Sequence, residues 1–372
     1  MLVTDKELLK KYTQRKWQGI PSVDVTLGGR LFVTFYSGGD GEELGNFCVL
    51  IKSDDGGQSW SAPVAAADAG SEFRCYDPCV WVDPLGRLWF IWSVMPGALY
   101  GAYAAVCEDP DSETLTFGEP FKIGQDVMLN KPTVLKNGDW LFPVAVWKRG
   151  IYITGMPESE SEPRLAFAYR SRDKGKTFER LGGVDMPARC YDEHMFVESG
   201  ERIRMYVRTY KGIGVSESSD GGRQWSAGED TGWGGPCSRF FLRRLQDGRL
   251  LLVNHVNYTG RNNLTALLSE DEGKTWKGGL LLDGRNLVSY PDGTERNGFI
   301  YIVYDRERGY GVPGVEDPAR EILMAKFTPE DVLAGKLVSE GSELQMVVSS
   351  LQRESCTVFH DTFAAQKELY GK

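Results

Sequence analysis

The chain has 372 residues, of which 41% are hydrophobic, and a formal net charge of −9. A negative chain without clustered lysines and arginines is not expected to bind nucleic acid as its main partner, and no apolar run has the length of a membrane span. The 44 glycines, the 12% of aromatic residues and the scarcity of helical periodicity favour an all-β protein with many turns.

The N-terminal segment predicts a short amphipathic helix from about Thr4 to Tyr12. It lacks the apolar core of a secretory signal peptide. The cysteines, an odd and scattered set at positions 48, 75, 79, 107, 190, 237 and 356, do not form a disulfide framework. We therefore expect a soluble cytoplasmic protein. No metal or other cofactor is predicted, because the Cys75/Cys79 pair has no matching second pair and the chain has three histidines.

Six units of similar layout then follow along the chain. Each has a short strand, a glycine-containing turn and a second strand rich in β-branched and aromatic residues. The units begin at Ile20, Asp77, Lys131, Glu193, Arg239 and Tyr290. Their number and size predict a six-bladed β-propeller of four-stranded antiparallel sheets, as one domain over residues 1–372. A sandwich or a seven-bladed ring is the alternative, but a seventh unit would need about fifty more residues.

Four units are followed by a turn of the form S-x-D-x-G-x-[S/T/Q]-[W/F]. These turns begin at Ser53, Ser171, Ser218 and Ser269. We expect the aspartate to accept hydrogen bonds from backbone amides of its own turn and the glycine to adopt a conformation that other residues resist. The terminal Trp or Phe is expected to be buried between neighbouring units.

After Tyr290 the sequence predicts two strands, FIYIVYD and EILMAKF, a short helix that opens at Thr328, and a last strand near residues 343–349. Residues 1–17 are interpreted as an N-terminal extension. The two ends of the chain are expected to complete one sheet together, so that the C-terminal strand closes the ring.

The first residues of the six units are expected to meet at one mouth, because the innermost strand of each propeller blade begins at the central channel. Five of these six residues are ionisable. Charged side chains are rarely buried unless they are paired or functional. Two interpretations stay open here: a ligand site, and a set of charges that pair with one another and fill the channel.

The repeated turns and units resemble the sialidase (neuraminidase) superfamily, also known as Asp-box or BNR-repeat proteins, over nearly the whole chain. In that family the Asp-containing turns lie away from the active site, so the resemblance implies a structural role for them. It also implies a nucleophilic tyrosine where Tyr290 stands in VSYPDG, and a carboxylate-binding arginine where Arg261 stands in RNNLTALLS.

Other positions of the family's site are changed in this chain. The two further carboxylate-binding arginines correspond to Gly19, in Gly-Ile-Pro, and to His255, and the glutamate that partners the tyrosine corresponds to Arg239. The loop that carries the acid/base aspartate offers Asp40, Glu42 and Glu43. A site that lacks two of three forked guanidiniums is expected to bind a substrate other than ordinary sialic acid.

The sequence therefore predicts a sialidase-like exo-acting glycoside hydrolase on an acidic or unusual terminal sugar. The candidate catalytic residues are Tyr290, Asp40, Glu43, Asp77 and Glu193. The candidate substrate-binding residues are Arg239, Arg261, His255, Lys131, Asp292, His194 and Gln18. Asp292 or Glu193 is the candidate base for the Tyr290 proton, and Arg239 is a cation that would lower the phenol pKa.

A non-catalytic carbohydrate-binding propeller, holding a glycan with the same residues, is the main alternative. In both cases the expected partner is a small molecule or glycan, and neither a nucleic acid nor a membrane. A scaffold that uses the flat faces of the propeller is a third possibility, although the sequence singles out no such face.

Overall fold

The computed structural model describes residues 1–150, 158–308 and 319–351, and most of them lie in β-strands. Six antiparallel sheets follow one another in chain order, which confirms the predicted all-β class, a six-bladed β-propeller. Two compact units can be distinguished. The first unit comprises Met1–Val3, Glu43–Cys48 and Ala67–Cys237, and the second comprises Thr4–Glu42, Val49–Ala66 and the chain from Ser238 onward.

The first three sheets are built from strands that are close in sequence. The first has the order β1-β5-β4-β3-β2 and consists of β1 (Leu2–Val3), β2 (Trp17–Val25), β3 (Leu31–Gly38), β4 (Phe47–Ser53) and β5 (Ala65–Ala67). The second consists of β6 (Arg74–Val82), β7 (Leu88–Met95), β8 (Gly101–Cys107) and β9 (Phe121–Gly124). The third consists of β10 (Thr133–Val134), β11 (Trp140–Ala145), β12 (Ala166–Ser171) and β13 (Glu179–Val184).

The remaining three sheets repeat the same four-stranded meander. The fourth consists of β14 (Arg189–Ser199), β15 (Arg202–Thr209), β16 (Gly212–Ser218) and β17 (Glu229–Asp230). The fifth consists of β18 (Phe241–Arg244), β19 (Leu250–His255), β20 (Leu264–Ser269) and β21 (Lys277–Asp283). The sixth consists of β22 (Val288–Arg296), β23 (Phe299–Arg306), β24 (Glu321–Phe327) and β25 (Glu343–Ser350).

Helices are short in the described part of the chain. The predicted N-terminal helix is present but shorter: α1 (Lys6–Leu9) is capped by Asp5 and continues as a 3₁₀ turn, Lys10–Thr13. A second 3₁₀ turn spans Gly97–Leu99. The predicted C-terminal helix is α2 (Pro329–Ala334), which a Thr328 capping box begins and a left-handed Gly335 ends.

The expectation that the two chain ends share one sheet is wrong. The C-terminal strand β25 pairs with β24, with Ser350 opposite Glu321, whereas β1 belongs to the first sheet. The physical reason is the chain reversal that α2 and its following turn provide. This reversal brings residues 343–350 back antiparallel beside β24, so the sixth sheet is completed by its own continuation.

The four Asp-containing turns have the predicted structure. In each turn the aspartate Oδ1 accepts the backbone amide four residues later, at 2.8–2.9 Å. The preceding serine hydroxyl accepts the amide of the glycine at 2.8–2.9 Å. Gly57, Gly175, Gly222 and Gly273 have φ of 95°, 85°, 92° and 81°, a region that glycine enters at little cost. These local bonds fix the hairpin without help from the rest of the chain.

The terminal aromatic residue of each turn is half-buried, and in two turns it packs on other aromatic side chains. Phe178 stacks on Phe121 and meets Phe142 edge-on, with centroid distances of 6.0 and 5.0 Å. Trp225 stacks on Phe196 at 5.9 Å. Because Phe178 and its partners belong to consecutive sheets, the turn motif contributes apolar surface to the core between them.

Four strands bulge where the repeated units begin. Ile20, Asp77, Glu193 and Tyr290 have φ of 55°, 47°, 42° and 58°, and the ladder register shifts at each of these positions. Left-handed backbone at a non-glycine residue costs about 1–3 kcal/mol and persists only where surrounding structure enforces it. A bulge also re-aims the side chain that it carries, so these four positions hold their side chains in directions that differ from those of a regular strand.

Candidate active site around Tyr290

The second unit gathers charged side chains around Tyr290. Tyr290 lies in β22 between Ser289 and Pro291, and its side chain is 7% exposed. The guanidinium carbon of Arg308 lies 4.5 Å from the centroid of the Tyr290 ring, and that of Arg261 lies 5.5 Å from it. Both distances are within the range of a cation–π contact. The phenol therefore has two arginines as neighbours.

Arg308 is held in place by two carboxylates. Its Nη1 donates to Glu42 Oε1 at 3.0 Å, and its Nε lies 3.2 Å from Asp305 Oδ2. Asp305 also accepts the Ile20 amide at 2.9 Å and the Ser289 hydroxyl at 2.7 Å. Burial raises the pKa of Asp305, and Arg308, the Ile20 amide and the Ser289 hydroxyl oppose that rise. The result is an oriented guanidinium, with its side chain 14% exposed, that lies over the Tyr290 ring.

Gly19 makes room for the Arg308 side chain. A Cβ atom at position 19 would overlap Arg308 Cδ and would lie 2.9 Å from Arg308 Cγ. Any larger residue here would have to displace the arginine stem. The absence of a side chain at Gly19 therefore allows Arg308 to occupy its position.

Arg239 and Asp292 form a fully buried ion pair beside β2. Arg239 Nη2 lies 2.9 Å from Asp292 Oδ1, and both side chains are at most 1% exposed. The other carboxylate oxygen accepts the Ser22 hydroxyl at 2.7 Å and the Val23 amide at 3.1 Å. The hydrogen-bonding capacity of Asp292 is thus largely used by neighbouring strands, which is typical of a structural pair.

His255 is a buried neutral imidazole at the end of β19. Its Nδ1 lies 2.7 Å from the Asn262 carbonyl and must donate, because a carbonyl only accepts. Burial lowers the His255 pKa to about 4. Among the described residues no partner bonds to Nε2, which in this tautomer is a hydrogen-bond acceptor. His255 stands where the resemblance places an arginine. It therefore offers a hydrogen-bond acceptor where the arginine would offer a positive charge.

The first unit pairs the charges of β14 with arginines. Arg208 Nη1 donates to Glu193 Oε1 at 2.7 Å, with both side chains at most 6% exposed. Arg189 Nε lies 2.9 Å from Asp192 Oδ1, but the geometry is not that of a hydrogen bond. Burial therefore prevails and raises the Asp192 pKa to about 7. His194 has its Nε2 2.8 Å from the Phe167 carbonyl, and burial lowers its pKa to about 4.

The remaining predicted residues are placed in different surroundings. Asp77 is 6% and Lys131 is 5% exposed, in the first unit. Gln18 is buried in β2, where its Nε2 donates to the carbonyls of residues 320 and 349. Asp40 is 86% exposed and lies 3.8 Å from Lys16 Nζ, and Glu43 is also exposed.

The second unit thus brings Tyr290 and Arg261 together. It adds two side chains that the sequence prediction did not select, Arg308 and Asp305, and one carboxylate of the predicted acid/base loop, Glu42. One sequence signal could have indicated Arg308: glycine at the first position of Gly-Ile-Pro leaves space for an arginine from elsewhere. Among the loop carboxylates named as acid/base candidates, Glu42 is the one that contacts Arg308.

The six sheets and their repeated Asp-containing turns define a protein of the BNR-repeat propeller class. A family model described as BNR repeat-like domain matches residues 4–302, and the chain belongs to that family. No curated protein matches the chain significantly.

Several solved structures share the fold. A protein of unknown function from Dyadobacter fermentans has a TM-score of 0.58 at 16% identity, over 78% of this chain and 90% of that one. The Hadza microbial sialidase Hz136 has 0.61 at 20%, over 79% of this chain and 64% of its own. The Trypanosoma rangeli sialidase in complex with the inhibitor DANA has 0.56 at 15%, over 78% and 52%. The chain thus spans about half to two thirds of these sialidases, and the likeness shows the fold.

Two further observations concern the residues that the structure describes. No helix among them is long and apolar enough to cross a membrane. No group of three or more His, Cys, Asp or Glu side chains among them has an arrangement that would hold a metal ion.

Proposed function

We propose that this chain is a sialidase-like, exo-acting glycoside hydrolase for an acidic or otherwise unusual terminal sugar, with Tyr290 as its nucleophile. The supporting observation is the contact of Arg308 and Arg261 with the Tyr290 ring, at 4.5 and 5.5 Å. Cations beside a phenol stabilise the negative charge that develops on it when its proton leaves. The phenol oxygen would then act as the nucleophile.

The proposed reaction uses the phenol of Tyr290 as the nucleophile. When a sugar carries a carboxylate at its anomeric carbon, a carboxylate nucleophile would be repelled, and sialidases with a tyrosine nucleophile are an exception to the two-carboxylate rule. The Tyr290 oxygen bonds to the anomeric carbon while the glycosidic bond breaks, and a carboxylic acid protonates the departing oxygen. Water then cleaves the tyrosyl–sugar bond and restores the enzyme.

Glu42 is the base that we propose for the Tyr290 proton. Its carboxylate contacts the guanidinium that covers the Tyr290 ring, and its side chain is 18% exposed, so that it can exchange a proton with solvent, whereas that of Asp292 is 1% exposed. Asp292, the candidate from the sequence, is engaged by Arg239, Ser22 and Val23. Asp40 and Glu43 remain predictions as the acid, and Asp77 and Glu193 remain predictions in the first unit.

The substrate class that we propose is inferred from the charges of Arg308 and Arg261 and from the neutral imidazole of His255. Arg308 and Arg261 provide charge for an anionic group of the sugar. His255, with its pKa of about 4, is uncharged near neutral pH and offers Nε2 as an acceptor. We therefore propose that the group facing His255 is a hydroxyl that donates a hydrogen bond. This pattern differs from three guanidiniums around one carboxylate.

A panel of aryl glycosides tests the proposal. The panel includes sialic acids, other ulosonic acids, uronic acids and neutral sugars. The native chain should release the aryl group from an acidic sugar, and Tyr290→Phe should reduce turnover by about 10³-fold or more. Tyr301→Phe, a buried tyrosine of the neighbouring strand β23, is the matched control and should retain activity. Full activity of Tyr290→Phe would remove Tyr290 from the mechanism.

A non-catalytic glycan-binding propeller is the second candidate. The buried Arg239–Asp292 pair favours it, because an arginine stands where the resemblance places the glutamate that activates the tyrosine. Thermal-shift titration with the free sugars of the same panel separates the two functions. A sugar that raises the melting temperature while its aryl glycoside stays intact would favour binding without turnover.

A further inference from the structure

Cys190 and Cys237 form a close pair of thiols in the first unit. Their Sγ atoms lie 3.0 Å apart, although the residues are 47 positions apart in sequence. Neither of them is in a disulfide. A disulfide requires about 2.05 Å between the sulfur atoms, so a relative movement of about 1 Å would allow the bond to form. We propose that these two residues are a redox-reactive dithiol that exchanges with small disulfides, of which glutathione disulfide is the representative.

The surroundings assign different roles to the two thiols. Cys237 is partly exposed, whereas Cys190 is buried. Arg208 Nη2 lies 3.4 Å from Cys237 Sγ and donates to its carbonyl at 3.0 Å. A guanidinium beside a sulfur atom favours the thiolate, which is the attacking species in exchange. The hydrogen bond with Cys237, and then burial, raise the pKa of Cys190. Cys237 is therefore the attacking residue, and Cys190 resolves the intermediate.

The exchange takes two balanced steps. The Cys237 thiolate attacks one sulfur of glutathione disulfide, which forms a Cys237–glutathione mixed disulfide and releases one glutathione thiolate. The Cys190 thiol then loses its proton to solvent and attacks Cys237 Sγ, which forms the protein disulfide and releases a second glutathione. The protein is oxidised by two electrons, and one glutathione disulfide is reduced to two glutathiones.

The dithiol is connected to an unusual stretch of backbone. Cys190 directly precedes Tyr191, Asp192 and Glu193, whose φ values are 56°, 56° and 42°. Arg208 bridges the two features, since its Nη1 bonds to Glu193 and its Nη2 contacts Cys237. A disulfide would fix the start of this left-handed run and replace the thiol that Arg208 contacts. The redox state of the pair is thereby communicated to the Glu193 carboxylate.

A second cysteine pair provides an internal comparison. Cys48 and Cys75 are both 0% exposed. Burial raises the pKa of both thiols. Without exposure or a thiolate, this pair should not exchange under conditions that oxidise Cys190 and Cys237.

The test uses the full chain with Cys356 replaced by serine, because Cys356 lies outside the described residues. The protein is incubated with glutathione disulfide, free thiols are alkylated, and unreduced peptides are identified by mass spectrometry. The expected product is a Cys190–Cys237 peptide that dithiothreitol reverses. Cys190→Ser should retain one glutathionyl group on Cys237, because the resolving thiol is gone, and Cys237→Ser should acquire none on Cys190.

A second measurement uses the chain in which Cys48, Cys75, Cys79, Cys107, Cys190 and Cys237 are all retained. Its reaction with glutathione disulfide is stopped at a series of times, so the result does not depend on whether Cys190→Ser or Cys237→Ser folds. The mixed disulfide on Cys237 should appear before the cross-linked peptide. Melting curves of the oxidised and reduced forms should differ, with the oxidised form melting at the higher temperature. Absence of the cross-link, cross-linking of Cys48 to Cys75 instead, or a first adduct on Cys190 would each overturn the proposal.

Discussion

Tyr290 and Glu193 both lie at bulges near the beginning of a strand. They differ in what the neighbouring arginine contacts. Both residues sit at bulges with left-handed φ, 58° and 42°. At Glu193 the guanidinium of Arg208 bonds directly to the carboxylate. At Tyr290 the guanidinium of Arg308 bonds to Glu42 and Asp305 and presents its face to an uncharged ring.

The two residues therefore differ in how much of their negative charge is compensated before a ligand binds. A carboxylate already bonded to a buried arginine has most of its charge compensated before any ligand arrives. At a phenol next to guanidiniums, a negative charge that develops during a reaction is stabilised as it forms. The following predictions test whether this contrast is correct, in order of decreasing expected effect.

Breaking the Glu193 pair should have the largest effect, and the effect should be on stability. Glu193→Ala leaves Arg208 buried without its carboxylate, which typically costs about 3–5 kcal/mol of unfolding free energy. Urea unfolding measures this loss. Glu198→Ala, on the same strand but half-buried, is the control and should change little. Unaltered stability combined with lost turnover would instead support the predicted catalytic role of Glu193.

Removing the Arg308 charge should affect activity far more than folding. We expect Arg308→Met to lower kcat/KM by about 10²–10³-fold, because a preorganised charge at a developing anion contributes about this much. Arg308→Lys should be intermediate, since an ammonium cannot maintain the forked contacts. Arg306→Met is the matched control, because Arg306 pairs with Glu307 and Glu321. Equal losses in the Arg306 and Arg308 variants would contradict a specific role for Arg308.

Filling the space at Gly19 should shift Arg308 without removing its charge. Gly19→Ala places a methyl group on the arginine stem, and displacement of a catalytic group by about 1 Å can cost about 10²-fold in rate. Steady-state kinetics should show this loss. Gly118→Ala, where the new Cβ would have ordinary contacts only, should behave like the native chain. If both variants match the native enzyme, Arg308 tolerates displacement and the spatial argument fails.

The smallest expected effect is on the pH dependence of stability. Burial lowers the pKa of His255 and His194 from 6.5 to about 4. The unfolded chain binds more protons than the folded chain in this window, so both histidines make stability fall as pH drops from 6.5 to 4. Asp192 acts in the opposite sense: its pKa is raised from 3.8 to about 7, so its contribution falls as pH rises.

The two regions should therefore respond differently to substitution. Asp192→Asn removes the opposing contribution in β14, and stability should then climb more steeply between pH 4 and 6.5. His255→Gln should make the same curve shallower. Urea unfolding at closely spaced pH values measures both slopes. Slopes that both variants leave unchanged would show that these groups titrate alike in the folded and unfolded chain.

The fold was predictable because its determinants are local. Each Asp-containing turn closes on hydrogen bonds within five residues, so its sequence signature carries its structure. The helix α2 likewise has its cap at Thr328 and its end at Gly335. The shared sheet of the chain ends was mispredicted, because pairing of β25 depends on how the preceding turn reverses the chain.

The site was less predictable, because its key contacts are remote in sequence. Glu42 and Arg308 are 266 positions apart, and Arg239 and Asp292 are 53 apart. A sequence shows which residues are ionisable but not which opposite charge each one meets. The resemblance located Tyr290 and Arg261, whereas the place of Arg308 over Gly19 depends on space that only three-dimensional packing defines.

The recurring bulge accepts side chains of very different chemistry. A hydrocarbon, two carboxylates and a phenol stand at Ile20, Asp77, Glu193 and Tyr290, with φ of 55°, 47°, 42° and 58°. The left-handed backbone is therefore maintained by the strands around each bulge and not by one type of side chain. Replacing the residue at such a bulge should change the local chemistry more than it changes the sheet.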